Sequence, residues 1–110
     1  MRVAVVGSRG IRDADMSLYI PHDATEIITG GAAGVDTLAE QYGNARGIPV
    51  RVIRPAYEIL GRLATLARND EIVGLAELVV AVWDGASPGT RYTIARAERM
   101  GKPVKVYVIK

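Results

Sequence analysis

The chain has 110 residues, which is enough for a single domain over residues 1–110 and too few for two. Cysteine is absent, so disulfide bonds and thiolate metal sites are excluded, and we expect a cytoplasmic protein. The formal net charge of +2 is small for a duplex DNA binder, and the 49% apolar residues suffice for a core. No apolar run reaches the ~20 residues that cross a membrane, and the run after Arg2 stops at Gly7, so no signal peptide is predicted.

Five short apolar runs rich in valine and isoleucine predict strands, and their continuous apolar character is typical of a parallel sheet covered on both faces. The predicted strands are residues 2–6, 25–29, 48–53, 77–83 and 104–109. Apolar residues at helical spacing predict helices over 34–46, 57–75 and 89–100, with a short helix within 12–22. This alternation predicts an α/β fold: a Rossmann-like three-layer domain with a parallel sheet of about five strands.

Three of the predicted strands end in breaks built from glycine and small polar residues. The breaks are GSRG at 7–10, TGGAAGVD at 29–36 and WDGASPGTR at 83–91. Ligands of open parallel sheets bind beyond the carboxyl ends of the strands, so we expect the breaks to share one edge. Small residues let a ligand approach the backbone, and a following helix start offers N–H donors to an anion. The three breaks therefore predict a phosphate-binding rim.

The first break combines a flexible backbone with a hydroxyl and a permanent positive charge. Gly7 permits a sharp exit from the strand, Ser8 offers a hydroxyl, and Arg9 offers a planar guanidinium suited to phosphate. The structural alternative is an ordinary turn that carries a solvated arginine. The spacing is not that of a GxGxxG dinucleotide fingerprint.

The second break is longer than a turn requires. Gly30 and Gly31 predict exposed consecutive N–H groups, and Gly34 precedes a predicted helix whose dipole favours an anion. Asp36 lies in the first turn of that helix. It either complements the helix dipole or binds a ligand hydroxyl such as that of a ribose.

The third break offers a further candidate anion cradle. Pro88 fits the entrance of a helix, where Gly89 and Thr90 present N–H groups and a hydroxyl. Trp83 either stacks on a base or fills the core or an interface, and Asp84 either contacts a metal or hydroxyl or forms a turn. The candidate binding residues of this break are Trp83, Asp84, Gly85, Ser87, Gly89 and Thr90.

A fourth candidate segment, Arg68-Asn69-Asp70, lies inside a helical pattern although Asn and Asp are indifferent helix formers. Other chemistry finds little support in the sequence. The single histidine, His22, has no recognisable triad partners, and no set of zinc ligands is present, so no metal site is predicted. No GxxxxGK[ST] sequence occurs, which argues against an ordinary P-loop ATPase.

The three breaks, the RND segment and the stretch VVAVWDGASPGTRYTIARAERMGKPV together resemble the SLOG superfamily. The resemblance is to its small YspA/YpsA-related proteins, and the superfamily also contains DprA and the lonely-guy phosphoribohydrolases. It implies a Rossmann-like domain that senses or processes a nucleotide or a nucleotide-derived phosphoribosyl ligand at its glycine loops. The resemblance does not specify a cofactor beyond this nucleotide or phosphoribosyl ligand. Arg68 is then expected to bind a second phosphate or a carboxylate.

The chain departs from the phosphoribohydrolases at one position that matters for catalysis. Their motif places a glutamate two or three residues after the Gly-Thr pair, where this chain has Tyr92 and Thr93. Because glycosidic cleavage ordinarily uses a carboxylate, binding is the favoured function and no catalytic residue is assigned. Asp36, Asp70 or Asp84 would have to substitute in the alternative, a nucleoside 5'-monophosphate phosphoribohydrolase.

A second alternative is DprA-like binding of single-stranded DNA, which requires a basic groove with stacking aromatic residues. The nearly balanced charge does not favour a nucleic-acid partner. The resemblance also implies a homo-oligomer, a dimer or larger. We expect residues 57–75 to form the interface, because their apolar positions spread over more than one helical face.

Overall fold

The computed structural model describes residues 1–56 and 61–109 and has the predicted α/β architecture. Its strands are β1 (Arg2–Gly7), β2 (Glu26–Thr29), β3 (Val50–Val52), β4 (Leu78–Trp83) and β5 (Val104–Val108). Its helices are α1 (Val35–Arg46), α2 (Ala64–Leu75) and α3 (Pro88–Arg99). The five strands form one sheet in the order β3-β2-β1-β4-β5, and every neighbouring pair is parallel.

The sheet is covered on both faces, and this explains the unbroken apolar runs of its central strands. In β1, the side chains of Val3 and Val5 belong to a core cluster that includes Val35 of α1. The alternate residue Ala4 belongs to a second cluster with Ile72 of α2. Successive side chains of a strand point to opposite faces, so α1 covers one face while α2 and α3 cover the other. The result is a Rossmann-like three-layer domain.

The strand order reverses between β1 and β4, which lie side by side at the centre of the sheet. The chain proceeds from β1 through β2 to β3 on one side and then crosses to β4 and β5 on the other. The connections that follow β1 and β4 therefore run to opposite sides of the sheet, which leaves a crevice at the carboxyl ends of these two strands. In open α/β sheets this crevice is where ligands bind.

Two predicted helices differ from the observed elements. Within 12–22 the structure has a single 3-10 turn, Met16–Leu18, whose N-terminus is capped by Asp15. The segment 57–75 contains a 3-10 turn at Gly61–Leu63 followed by α2, and its first four residues lie outside the described residues. Within the described ranges, no helix has the length and apolar character that crossing a bilayer demands.

Candidate functional site

A cavity of about 350 Å³, here called the main cavity, lies beyond the carboxyl end of β1. Its wall is formed by the loop after β1, the glycine run after β2, one face of α2 and the first turns of α3. The predicted sharing of one edge by the three breaks is thereby confirmed. The predicted site residues that line it are Gly7, Ser8, Arg9, Asp36, Arg68, Ser87, Gly89 and Thr90.

Ser8 joins the loop after β1 to the loop after β4 by a closed ring of hydrogen bonds. The backbone N–H of Asp84 donates to Ser8 Oγ at 3.0 Å. The Oγ atoms of Ser8 and Ser87 are 3.0 Å apart, and Ser87 Oγ donates to Asp84 Oδ2 at 2.8 Å. Since each hydroxyl has one proton, Ser8 donates to Ser87. The side chain of Ser8 therefore positions both loops, and Ser8 also lies on the wall of the main cavity.

Asp84 organises the turn that leads into α3. Its Oδ1 accepts hydrogen bonds from the N–H groups of Ala86 and Ser87, both at 2.8 Å. These bonds, from Ala86 first and then from Ser87, lower the pKa of Asp84 from 3.8 to about 2. Of the alternatives for this residue, the geometry matches turn formation, and Asp84 does not line the main cavity.

The carboxylate of Asp36 stabilises the backbone of the glycine run by accepting hydrogen bonds. Its Oδ2 accepts hydrogen bonds from the N–H of Gly30 at 3.2 Å and of Ala32 at 3.1 Å. Burial raises the pKa of Asp36, while the bond from Ala32 and the positive charge of Arg68 oppose that rise. Of the two consecutive N–H groups predicted to face a ligand, that of Gly30 is thus satisfied by this carboxylate, as is the N–H group of Ala32. Asp36 also lies on the wall of the main cavity.

Arg68 is a buried arginine that contacts the same glycine run from α2. Its Nη1 donates to the carbonyl oxygen of Gly30 at 2.6 Å, and its Nε donates to Asn69 Oδ1 at 2.7 Å. A Cβ on Gly30 would lie 2.8 Å from the Cζ of Arg68, so a larger residue would displace the guanidinium. Arg68 therefore fixes the loop after β2 while lining the main cavity.

Gly34 brings the start of α1 against the loop after β1. Its φ is +79° and its ψ is −128°, a region that only glycine adopts readily. A Cβ there would lie 2.6 Å from the Cα of Arg9 and would also collide with the carbonyl oxygens of Ser8 and Arg9. The N–H of Val35 donates to the carbonyl oxygen of Ser8 at 3.3 Å. The first and second breaks are therefore in direct backbone contact.

The start of α3 presents backbone donors to the main cavity. Pro88 lies in the first turn, as predicted, and Ser87 at the N-cap makes no side-chain capping hydrogen bond. The first turn carries no acidic residue. The N–H groups of a first helical turn have no partner within the helix, and the helix dipole favours an anion beside them. Gly89 and the buried Thr90 line the cavity at this point.

Trp83 braces the loop after β4 and does not line the main cavity. Its Nε1 donates to the carbonyl oxygen of Ser87 at 3.1 Å. The guanidinium of Arg91 lies over its ring, 5.5 Å from the centroid, in a cation–π contact. Gly85, with a φ of +84°, also lies off the cavity wall. Gly34 contacts the loop after β1 instead of lining the cavity.

The two residues at which the hydrolase motif would place its glutamate, Tyr92 and Thr93, lie in different environments. The hydroxyl of Tyr92 donates to Asp70 Oδ1 at 3.0 Å, in the contact between α2 and α3. Thr93 is buried and lines the main cavity, where its Oγ1 donates to the carbonyl oxygen of Gly89 at 3.0 Å. Among the described residues on that wall, Asp36 is the one carboxylate.

Some residues of the site were missed at the level of sequence. Thr65, Asn69 and Thr93 line the main cavity from the two helices. Asn69 had a signal, since it lies in the noted RND segment. A neighbouring cavity, lined by Gly30, Gly31 and other residues, also includes Arg54, which follows β3. Its signal was its place directly after a strand, like the three breaks.

The comparisons with known proteins give one distant similarity. The chain is 24% identical over 95 residues to the tRNA modification GTPase MnmE of Lactiplantibacillus plantarum. That match covers 82% of this chain, and the chain spans 20% of the length of MnmE. No protein-family model matches the chain, and no solved structure matches it at a significant level. Within the described residues, no group of three or more potential metal ligands is found.

Proposed function

We propose that the chain is a small SLOG-like module that binds a nucleotide or a nucleotide-derived phosphoribosyl ligand in the main cavity. The observation that carries the proposal is the convergence of three loops and the start of α3 on one cavity at the strand-order reversal. The resemblance of its glycine breaks to those of the SLOG superfamily supports it. The distant similarity to a protein named as a GTPase gives weaker support for nucleotide binding.

In this proposal a phosphate lies against the first turn of α3. The N–H groups of Gly89 and Thr90 donate to it, and the exposed guanidinium of Arg9 neutralises its charge. Ser8 and Arg68 act indirectly, because the first holds two loops together and the second fixes the glycine run. The absence of a GxxxxGK[ST] sequence separates this mode of binding from that of a P-loop.

A thermal-shift panel of nucleoside monophosphates and phosphosugars, ribose 5-phosphate included, tests the proposal. A ligand at about 100 times its Kd adds about 2.7 kcal/mol, which raises the Tm of a small domain by several degrees. We expect Arg9→Ala to reduce the shift and Arg12→Ala to retain it. Arg12 is a matched control, since it is an exposed arginine of the same loop and lines neither cavity. A panel without any shift would refute the proposal, as would equal shifts in both variants.

A second candidate function is hydrolysis of a nucleoside 5'-monophosphate to a base and ribose 5-phosphate. The observation that favours it is the buried carboxylate of Asp36 on the wall of the main cavity. Release of the free base from a panel of monophosphates is the direct assay. Turnover that disappears in Asp36→Asn, while that variant still binds the substrate, would establish it. Binding without turnover at high protein concentration would refute hydrolysis and leave ligand binding as the one remaining function.

We also propose that the chain forms a homo-oligomer through the start of α2. Leu63 is 63% exposed and Leu66 is 37% exposed, so large apolar side chains face solvent in a single copy. Light scattering on the wild type and on Leu63→Asp would test this, with a smaller particle expected for the variant. A wild-type monomer would refute it.

A further inference from the structure

A second cavity of about 400 Å³, here called the outer cavity, adjoins the main cavity on the side of β2 and β3. The two cavities share three lining residues: Arg9, Ala32 and Arg68. The two cavities are therefore neighbours along this edge of the sheet. The outer cavity adds Arg54, Pro55 and the backbone of the glycine run.

The side chains that line the outer cavity include several cations, although the charge of Arg68 also interacts with the buried carboxylate of Asp36. Three arginines line it, namely Arg9, Arg54 and Arg68, and none of its described lining residues is a carboxylate. In the described part of the chain, neither Arg9 nor Arg54 forms an ion pair. Like charges gathered at one concave surface repel one another and raise the local concentration of anions. An anion in this cavity would relieve that repulsion.

The guanidinium of Arg54 lies close to the glycine run. A Cβ on Gly31 would lie 2.9 Å from Nη1 of Arg54 and 2.8 Å from Cγ1 of Val52. Gly31 also has a φ of +71°, which strains any residue with a side chain. The sequence thus leaves room for a guanidinium beside exposed backbone. A planar guanidinium fork is the group that best matches the oxygens of a phosphate.

We infer that the ligand carries two phosphate groups, one against the start of α3 in the main cavity and one against Arg54 in the outer cavity. The ligand class is a nucleoside diphosphate or a nucleotide with a diphosphate bridge. This inference rests on the proposed function, because it extends the ligand of the main cavity along the sheet edge. Arg9 lines both cavities and serves both groups, whereas Arg54 lines the outer cavity alone.

Isothermal titration with matched pairs of probes, AMP with ADP and GMP with GDP, tests the inference. We expect the wild type to bind the diphosphate of at least one pair about tenfold or more tightly than its monophosphate. Arg54→Gln should bring that ratio close to one, and Arg54→Lys should give an intermediate ratio because lysine keeps the charge without the fork. Arg51→Gln is the control: it removes the same charge from β3 at a residue paired with Glu26, outside both cavities.

The outcomes separate this inference from the proposed function. Equal affinity of the wild type for both members of each pair, or equal losses for both in Arg54→Gln, would overturn the two-phosphate ligand while monophosphate binding stands. Absence of binding by every probe would overturn both. Arg54 is exposed, so the variants should keep the wild-type unfolding temperature, which circular dichroism verifies. An unfolded Arg54→Gln leaves Arg54→Lys to decide, since a wild-type ratio in that variant would overturn the fork contact.

Discussion

The hydroxyl oxygens of Ser8 and Ser87 lie 3.0 Å apart, although the two residues are 79 positions apart in the chain. They follow neighbouring central strands, β1 and β4, and their contact spans the crevice at which the strand order reverses. The ring of hydrogen bonds through Asp84 makes the two loops a single unit. The shape of the main cavity therefore depends on this polar contact, in which Ser8 is almost wholly buried.

Replacing Ser8 by alanine should destabilise the fold by about 1–3 kcal/mol, because the N–H of Asp84 loses its acceptor in a partly buried place. Urea denaturation with the free energy extrapolated to water measures the loss. Ser17→Ala is a matched control, since the hydroxyl of Ser17 donates to Asp15 at an exposed position. An equal, small loss in both variants would show that the ring contributes little.

Acid should weaken the fold through Asp84. Its pKa is lowered to about 2 in the folded state, below the ordinary value of 3.8, so ionisation of this group favours folding. That stabilisation is complete above the ordinary value and disappears as the pH falls through about 2. In Asp84→Asn the free energy of unfolding should be lower at neutral pH and should fall less between pH 4 and pH 2.

Urea titrations at several pH values provide the measurement for Asp84. Asp23→Asn replaces an exposed carboxylate whose side chain makes no hydrogen bond within the described residues, so it should keep the acid profile of the wild type. A profile of Asp84→Asn that parallels the wild type down to pH 2 would contradict the assigned role of the turn.

The sequence predicted the layered fold and the shared edge because both follow from local patterns and from the geometry of parallel sheets. The apolar runs at 2–6 and 77–83 match β1 and β4 closely. It did not predict which polar groups satisfy one another. Arg68 was expected to bind a phosphate or a carboxylate, and Asp36 either to complement the helix dipole or to bind a ligand hydroxyl. Both line the main cavity, and the sequence did not indicate that both also hold the glycine run by hydrogen bonds. Arg54 follows a predicted strand, but the sequence did not indicate that its guanidinium lies beside Gly31.

Arg68 and Asp36 should prove energetically coupled. Both are 7% exposed, and the charge of Arg68 favours the ionised form of Asp36. Arg68→Met leaves a buried carboxylate without that cation and should cost about 3 kcal/mol or more. Once Asp36→Asn has removed the charge, Arg68→Met should cost less, with a coupling of about 1 kcal/mol or more in a double-mutant cycle. Additive losses would show that Arg68 stabilises the fold through contacts other than its charge interaction with Asp36.

Gly34 should tolerate a side chain far less well than Gly47. Both have a positive φ, +79° at Gly34 and +69° at Gly47, so alanine is strained at either position. At Gly47, however, an added Cβ meets nothing within 4 Å, whereas at Gly34 it collides with the backbone of Ser8 and Arg9. Gly47→Ala should therefore cost about 1–2 kcal/mol, the strain of the left-handed backbone alone. Gly34→Ala should cost clearly more, and should also weaken ligand binding because it pushes the loop after β1 away from α1.

Urea denaturation of both variants, followed by the thermal-shift panel on those that fold, checks the comparison. Equal destabilisation would mean that the loop after β1 moves without cost, and the main cavity would then not depend on this backbone contact.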